Sequence, residues 1–257
     1  MSSLRVTYIG GPTALLEYSG LRFLTDPTLD PAGTDYPTPA YTLHKTQAPG
    51  LSPTELGTVD AVLLSHDHHF DNLDNSGRAA LANAGATYTT KVGAERLDSD
   101  AIGMAPWDSV DLKASGRPTV RLTATPARHG PPGGDRGPVV GFVLESADDA
   151  APIVYVSGDT VWYEGVAEVG ERFRVDIALL NLGAAKVAAA GPDPLTLTAA
   201  DAVTLAKAWP HTTIVPLHFE GWDHFSEGAA EVKEAFASAG LSGRLRWLAA
   251  GEPTAID

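Results

Sequence analysis

Apolar and polar residues alternate with period two over residues 4–9, 13–18 and 21–25, and Ser19-Gly20 between the last two runs is a hairpin signal. These runs predict a meander of short strands that ends at Asp26-Pro27. Residues 28–53 carry Pro, Thr and Gly without a period and read as a long loop, with His44 exposed on it. Residues 59–64 are almost continuously apolar, as a strand buried on both faces requires. A helix is expected over 77–84, closed by Gly85, and a strand over 86–90; residues 106–112 fit neither period. In 118–125, Val120, Leu122 and Ala124 alternate with Arg121, Thr123 and Thr125, which predicts a half-buried strand. Further strands are expected at 139–145, 153–156, 175–180, 212–217 and 244–248. A helix lies within 161–173. Another starts at the capping pattern Thr198-x-x-Asp201 and stops at Pro210, and a third runs from Ser226 to Gly240 with Val232 and Phe236 on its apolar face. Strands come first in a hairpin block and then alternate with helices. The pattern is that of an α/β protein with mixed sheets covered by helices, and the absence of linkers and repeats predicts a single domain over 1–257.

Composition narrows the chemistry. The chain has 257 residues, 44% hydrophobic and 19% charged, enough for a sizeable core. It has no cysteine, so disulfides and thiol nucleophiles are excluded, and a metal would have to be held by histidine and carboxylate. Such donors suit zinc, iron or manganese. Lys+Arg 18 against Asp+Glu 32 gives a net charge of −14, which repels polyanions and disfavours nucleic acid as a partner. No apolar run approaches the ~20 residues that cross a bilayer, so no membrane insertion is expected. The first residues lack a basic stretch followed by an apolar one, so a cytoplasmic protein without a leader is expected.

Candidate chemistry collects where strands end. The run Leu64-Ser65-His66-Asp67-His68-His69-Phe70-Asp71-Asn72-Leu73-Asp74 follows the buried strand and holds three of the eight histidines. His66 and His68, one residue apart, would bend toward one ion. The strands over 118–125, 153–156 and 212–217 lead to His129, Asp159 and His218. In α/β sheets, ligands bind outside the carboxyl ends of strands. His66, His68 and His129 would leave an open position on a metal, as catalytic zinc sites do. Asp159 would bridge to a second ion, with Asp71 and His218 beyond it. His69 is expected to face away from His68, in a supporting or exposed role, and His211 to be structural. Asp67 and Asp74 are expected to start a helix or to brace ligands.

These motifs resemble the metallo-β-lactamase superfamily, and look most like its branch of ascorbate-lactonase-like and N-acyl-phosphatidylethanolamine phospholipase D-like proteins. The resemblance is carried by Val6-Thr7-Tyr8-Ile9-Gly10, Leu24-Thr25-Asp26-Pro27, Leu64-Ser65-His66-Asp67-His68, Pro126-Ala127-Arg128-His129, Ser157-Gly158-Asp159-Thr160 and Pro216-Leu217-His218-Phe219-Glu220-Gly221-Trp222. It implies an αββα sandwich of two mixed sheets flanked by helices. The family's histidine motif is His-x-His-x-Asp-His. Without a gap, Phe70 stands at the motif aspartate and Asp71 at its last histidine. With one inserted residue, Asp71 is the aspartate and Asn72 replaces that histidine. Either way one imidazole is lost. A second ion would be held by Asp71, Asp159 and His218, and the Asn72 amide could join them.

The resulting expectation is a metal-dependent hydrolase. It would use a hydroxide on one or two divalent ions, zinc first with manganese or iron as alternatives, against a small ester, lactone, amide or phosphodiester. Asp71 would orient the water or take its proton, and His224 would protonate the leaving group. Glu220, Trp222 and Trp162 would line the substrate site, and Asp26 would brace a ligand. The alternative is a non-hydrolytic metal protein on the same fold, one that binds a metabolite or handles oxygen at iron.

Overall fold

The alternating amino-terminal runs are strands β1 (Leu4–Gly10), β2 (Thr13–Tyr18) and β3 (Leu21–Thr25), paired antiparallel in sequence order. Ser19 and Gly20 both take positive φ in the tight turn between β2 and β3. The structure is a computed structural model that describes residues 4–97 and 101–256; residues 1–3, read above for a leader, lie outside them. The expected long loop contains a small hairpin, β4 (Asp35–Pro37) with β5 (Thr42–His44). Then β6 (Ala61–Leu63), β7 (Thr87–Thr90) and β8 (Ala101–Met104) extend β3 in parallel. The remaining strands are β9 (Ser109–Leu112), β10 (Val120–Pro126), β11 (Val140–Ser146), β12 (Val154–Val156), β13 (Ile177–Asn181), β14 (Thr213–Leu217) and β15 (Thr254–Ile256). The helices are α1 (Pro53–Leu56), α2 (Asn75–Ala80), α3 (Lys91–Leu97), α4 (Glu164–Arg172), α5 (Ala199–Ala208) and α6 (Ala229–Ser238).

Two mixed sheets face each other, one ordered β15-β1-β2-β3-β6-β7-β8 and the other β14-β13-β12-β11-β10-β9. Leu16, Phe23 and Leu63 of the first meet Leu122, Phe142 and Leu179 of the second in one shared core. Tyr155 and Leu180 on the outer face of the second sheet pack against Val166, Leu205 and Phe236 of α4, α5 and α6. Leu24 and Val62 on the outer face of the first are covered by Leu56 and Leu73. Burying each such side chain contributes roughly 1.5–3 kcal/mol. The result is an αββα sandwich, as expected, and among the described residues no helix is long and apolar enough to cross a membrane.

The expected last strand over 244–248 is a correction. That stretch touches β14 through one bridge, Ile214 with Leu245, and Trp247 packs edge-on to Phe219 at 5.4 Å. Its apolar residues serve packing, while the final strand is β15, paired with β1 at the opposite end of the sequence. α3 was also not foreseen. Its apolar positions are few, and Gly93 sits where a side chain would strike Thr89, Thr90 and Asp67.

The segment 28–53 is strapped down by a buried ion pair. Lys45 Nζ lies 2.8 Å from Asp74 Oδ2, with both side chains almost fully buried. Asp74 also caps α2 by accepting from Gly77 N at 2.8 Å, and accepts from Asp30 N at 2.7 Å. Burial pulls the Lys45 pKa down and Asp74 opposes that pull. Removing one partner would strand a buried charge, so Lys45→Ala is expected to cost about 3–5 kcal/mol. The Lys45→Met/Asp74→Asn double variant should lose much less, because asparagine still caps the helix. Urea unfolding midpoints check this; equal losses in the two variants would contradict a coupled pair.

Candidate metal centre

Strand ends from the two sheets meet at one place. β6 ends at Leu63, and the chain then turns, with the backbone N–H groups of Asn72 and Leu73 both donating to the His69 carbonyl at 3.2 and 3.0 Å. The turn is held from behind by Asp26, at the end of β3. Asp26 Oδ1 accepts from Ser65 N at 2.6 Å, and Oδ2 accepts from Ser65 Oγ at 2.8 Å and from Asn72 Nδ2 at 3.2 Å. Burial pushes the Asp26 carboxyl up to about 7 against the pull of these bonds.

His66, His69 and His129 come together, their ligand atoms within 4.8 Å of one another. His69 Nδ1 lies 2.9 Å from His66 Nε2 and 3.2 Å from His129 Nε2. Two of these rings have fixed tautomers. His129 Nδ1 is 2.8 Å from the Leu195 carbonyl, which only accepts, so Nδ1 carries the proton and Nε2 presents a lone pair. Ser65 Oγ gives its proton to Asp26, so it accepts from His66 Nδ1 at 2.9 Å, and again Nε2 is free. Burial depresses the pKa of all three rings, that of His69 to about 3, which keeps them in the neutral form that binds metal.

His69 therefore stands where the sequence pattern had placed His68. His68 Nε2 donates to the Arg136 carbonyl at 2.8 Å, and its Nδ1 faces Arg96 Nη2 at 3.3 Å. Both of its ring nitrogens are engaged outside the cluster. The expectation carried strand alternation past residue 63, but the chain is already in a turn, where residues three apart share a side. Asp67, itself buried, pairs with Arg96 outside the cluster.

Beside the three imidazoles lies a second group. Asp159, after β12, accepts on Oδ1 from Asn181 Nδ2 at 2.8 Å and faces His218 Nδ1 at 3.0 Å. Its Oδ2 is 3.5 Å from His129 Nε2 and has no hydrogen-bond partner. Burial raises the Asp159 pKa but the His218 charge outweighs it, and the carboxyl stays ionised. Asp71 Oδ2 is 3.6 Å from His218 Nε2 and 3.1 Å from His224 Nε2. His218 takes φ +53 and its buried Nε2 also lacks a partner. Convergent lone pairs and orphaned buried polar atoms are what a metal site looks like from its protein side, so these residues fit a bound metal. Asn181 had no assigned role, yet it ends β13 between the strands that deliver Asp159 and His218, in register with Leu217.

The expected substrate-lining residues are not brought to the cluster. Trp222 is buried under the strap, 5.5 Å from Tyr36 and beneath Lys45. Glu220 neighbours Tyr8, whose hydroxyl is held protonated by burial and by that charge. Trp162 packs on the outer core under α4. Tyr41, which the sequence did not single out, is half-buried against Trp222, Phe225 and Leu195, and burial and the charge of Asp71 raise its pKa.

The profile of the Beta-lactamase superfamily domain matches residues 21–219. The chain belongs to the metallo-β-lactamase superfamily. Similar relatives include the UPF0173 protein YddR of Bacillus subtilis, 25% identical over 94% of this chain and 96% of that one. A UPF0173 metal-dependent hydrolase of an Exiguobacterium strain is 27% identical over 88% of this chain and 90% of the other. Among solved structures, the isothiocyanate hydrolase from Delia radicum gut bacteria superposes with a TM-score of 0.84 at 25% identity, covering 98% of this chain and 99% of that one. The chain is a metal-dependent hydrolase, and these relatives favour hydrolysis over the non-hydrolytic alternative.

The depressed histidines make the metal-free hydrolase acid-sensitive. Unfolded imidazoles titrate near 6.5, so the unfolded chain takes up protons first and stability is lost as pH falls below about 6.5. His218, held up by Asp159 and Asp71 against burial, and Asp26, with its raised pKa, both act in the opposite sense. A single-site comparison isolates one term. The melting temperature of His69→Gln minus that of the metal-free wild type is expected to rise steadily from pH 7 to pH 4. A difference independent of pH would contradict a buried neutral His69.

Proposed function

We propose that this hydrolase, as one domain over residues 1–257, holds a divalent ion at His66, His69 and His129 and cleaves a small ester, lactone, amide or phosphodiester. The observation that carries the reading is the convergence of His66 Nε2, His69 Nδ1 and His129 Nε2, with two tautomers fixed from outside the cluster. Three imidazoles suit zinc, and the carboxylate-rich neighbourhood of Asp71 and Asp159 also suits manganese or iron. When bound, such an ion polarises an electrophile and brings the pKa of its water toward about 7.

The chain supplies the rest. Asp71 is kept ionised by His224 and His218 although burial opposes this, so its carboxylate orients water and accepts a proton at Oδ2. The Tyr41 hydroxyl, kept protonated, is a donor near Asp71 for an oxygen that gains charge. Phe70 is exposed and stacked on Tyr36 with centroids 4.7 Å apart, an apolar surface next to the cluster. Together with the net charge of −14, this favours a small, weakly polar substrate over a nucleic-acid polymer. The similar isothiocyanate hydrolase places a small carbon electrophile within the class to be assayed.

His69→Ala is expected to lose bound metal and to lower kcat/KM on a generic lactone or aryl ester by more than the about 10–100-fold typical of outer-sphere changes. His68→Ala should keep its metal and stay within that range. Elemental analysis beside steady-state kinetics checks both. Full metal content in His69→Ala, or metal loss in His68→Ala alone, would overturn the assignment.

A further inference from the structure

An apolar cleft lies uncovered at the same edge of the sandwich as the metal centre. β6, β7 and β8 run parallel, so Thr90 and Met104 end their strands on the side where β6 leads into the histidine turn. The chain after β10 and before β11 bounds the other wall. The cleft has a volume of about 520 Å³ and is lined by Val92, Met104, Pro106, Pro138, Val139 and Tyr163. Such a volume suits a small molecule. Arg128 lines it too, and is next in the chain to His129. We propose that this cleft takes the apolar body of the substrate and that Arg128 binds a single carboxylate on it. The proposal rests on the metal reading of His66, His69 and His129, and narrows the small, weakly polar substrate to an apolar monocarboxylate.

The Arg128 guanidinium is a donor short of acceptors. It stacks on the Tyr163 ring at 4.3 Å, and its Nε is buried without a hydrogen-bond partner. The carboxylate facing it, Glu164, is 3.9 Å away and 88% exposed, and a surface pair of that kind contributes little. The other charges at the cleft are already committed. Lys91 Nζ is exposed and pairs with Asp108 at 3.6 Å, and Asp135 Oδ1 accepts from Gly137 N at 3.2 Å within its own turn. One planar cation left over matches one carboxylate, which a guanidinium can hold by two parallel bonds. The net charge of −14 disfavours a more highly charged anion. Val92 is 41% exposed on the cleft wall, apolar surface that a bound hydrocarbon would cover. The cleft also borders the metal centre. His68 Nε2 donates to the Arg136 carbonyl at 2.8 Å. Gly137, at φ +107, packs so closely on that ring that a Cβ would stand 2.9 Å from Nε2. The His68 ring is in turn 4.3 Å from that of His69. The cleft wall and the metal-binding turn thus share His68, and a substrate held at Arg128 lies beside the imidazoles.

Calorimetric titration of the zinc-loaded protein with phenylbutanoate and with its neutral isostere phenylbutanamide tests the proposal. Wild type is expected to bind the acid at least about tenfold more tightly than the amide. The acid should also inhibit hydrolysis of a generic aryl ester competitively. Arg128→Gln should lose the preference for the acid while elemental analysis shows its zinc retained, and Arg128→Lys should recover part of it. Val92→Asp, which puts a negative charge on the exposed wall, should weaken the acid more than the amide. Circular dichroism identifies any unfolded variant, and Val92→Asp then decides alone. A preference that persists in Arg128→Gln would show the zinc, not Arg128, to be the anchor and would overturn the proposal. So would equal affinities for acid and amide in wild type, unchanged acid binding in Val92→Asp, or acid binding without competition. Each of these leaves the three-imidazole reading intact. Wild type that retains no zinc or hydrolyses no ester would instead overturn that reading, and the proposal with it.

Discussion

Asp26 is the constraint on which the site depends. Its buried carboxylate commits one oxygen to the Ser65 backbone and the other to the Ser65 hydroxyl and the Asn72 amide. Ser65 in turn fixes the His66 tautomer, so a residue on a neighbouring strand decides which nitrogen of His66 carries its lone pair inward. The same carboxylate explains why Asn72 is buried yet absent from the cluster. Asp26 takes φ +26, a strained backbone for a side-chain-bearing residue, and His218 does the same at φ +53. Strain at these two strand ends, one in each sheet, fits a site assembled where the sheets meet.

The electrostatics have the same logic. Imidazoles buried together repel protons and one another's charge, so His66, His69 and His129 remain neutral. Asp159 and Asp71 remain charged because His218 and His224 face them. Neutral nitrogen donors thus lie on one side and carboxylates on the other, with His218 between two acidic groups. Burying these groups leaves Asp159 Oδ2 and His218 Nε2 unpartnered, a cost that a bound metal would offset. The Lys45–Asp74 pair extends the arrangement outward, fastening the strap and Trp222 beside the turn that carries the histidines.

Much of the fold was legible in the sequence because it is written in local periods. β2 and β3 follow directly from alternation around Ser19-Gly20, and the buried strands of the second sheet from short apolar runs. β15 was not legible, because its partner β1 lies at the other end of the chain and no local pattern records that pairing. In the site, the strand ends pointed to His66, His129, Asp159 and His218, which the structure brings together. His69 was missed because the backbone leaves the strand before residue 66, and a period of two no longer applies. Asn181 and Tyr41 were missed because neither carries a motif; their positions come from sheet register and from the strap.

The central claim is that His69, and not His68, completes the set with His66 and His129. Anomalous diffraction from crystals of the zinc-loaded protein tests it directly. The account predicts a peak within bonding distance, about 2.0–2.1 Å, of His66 Nε2, His69 Nδ1 and His129 Nε2, with His68 still bound to the Arg136 carbonyl. A peak coordinated by His68 with His69 turned away would contradict it.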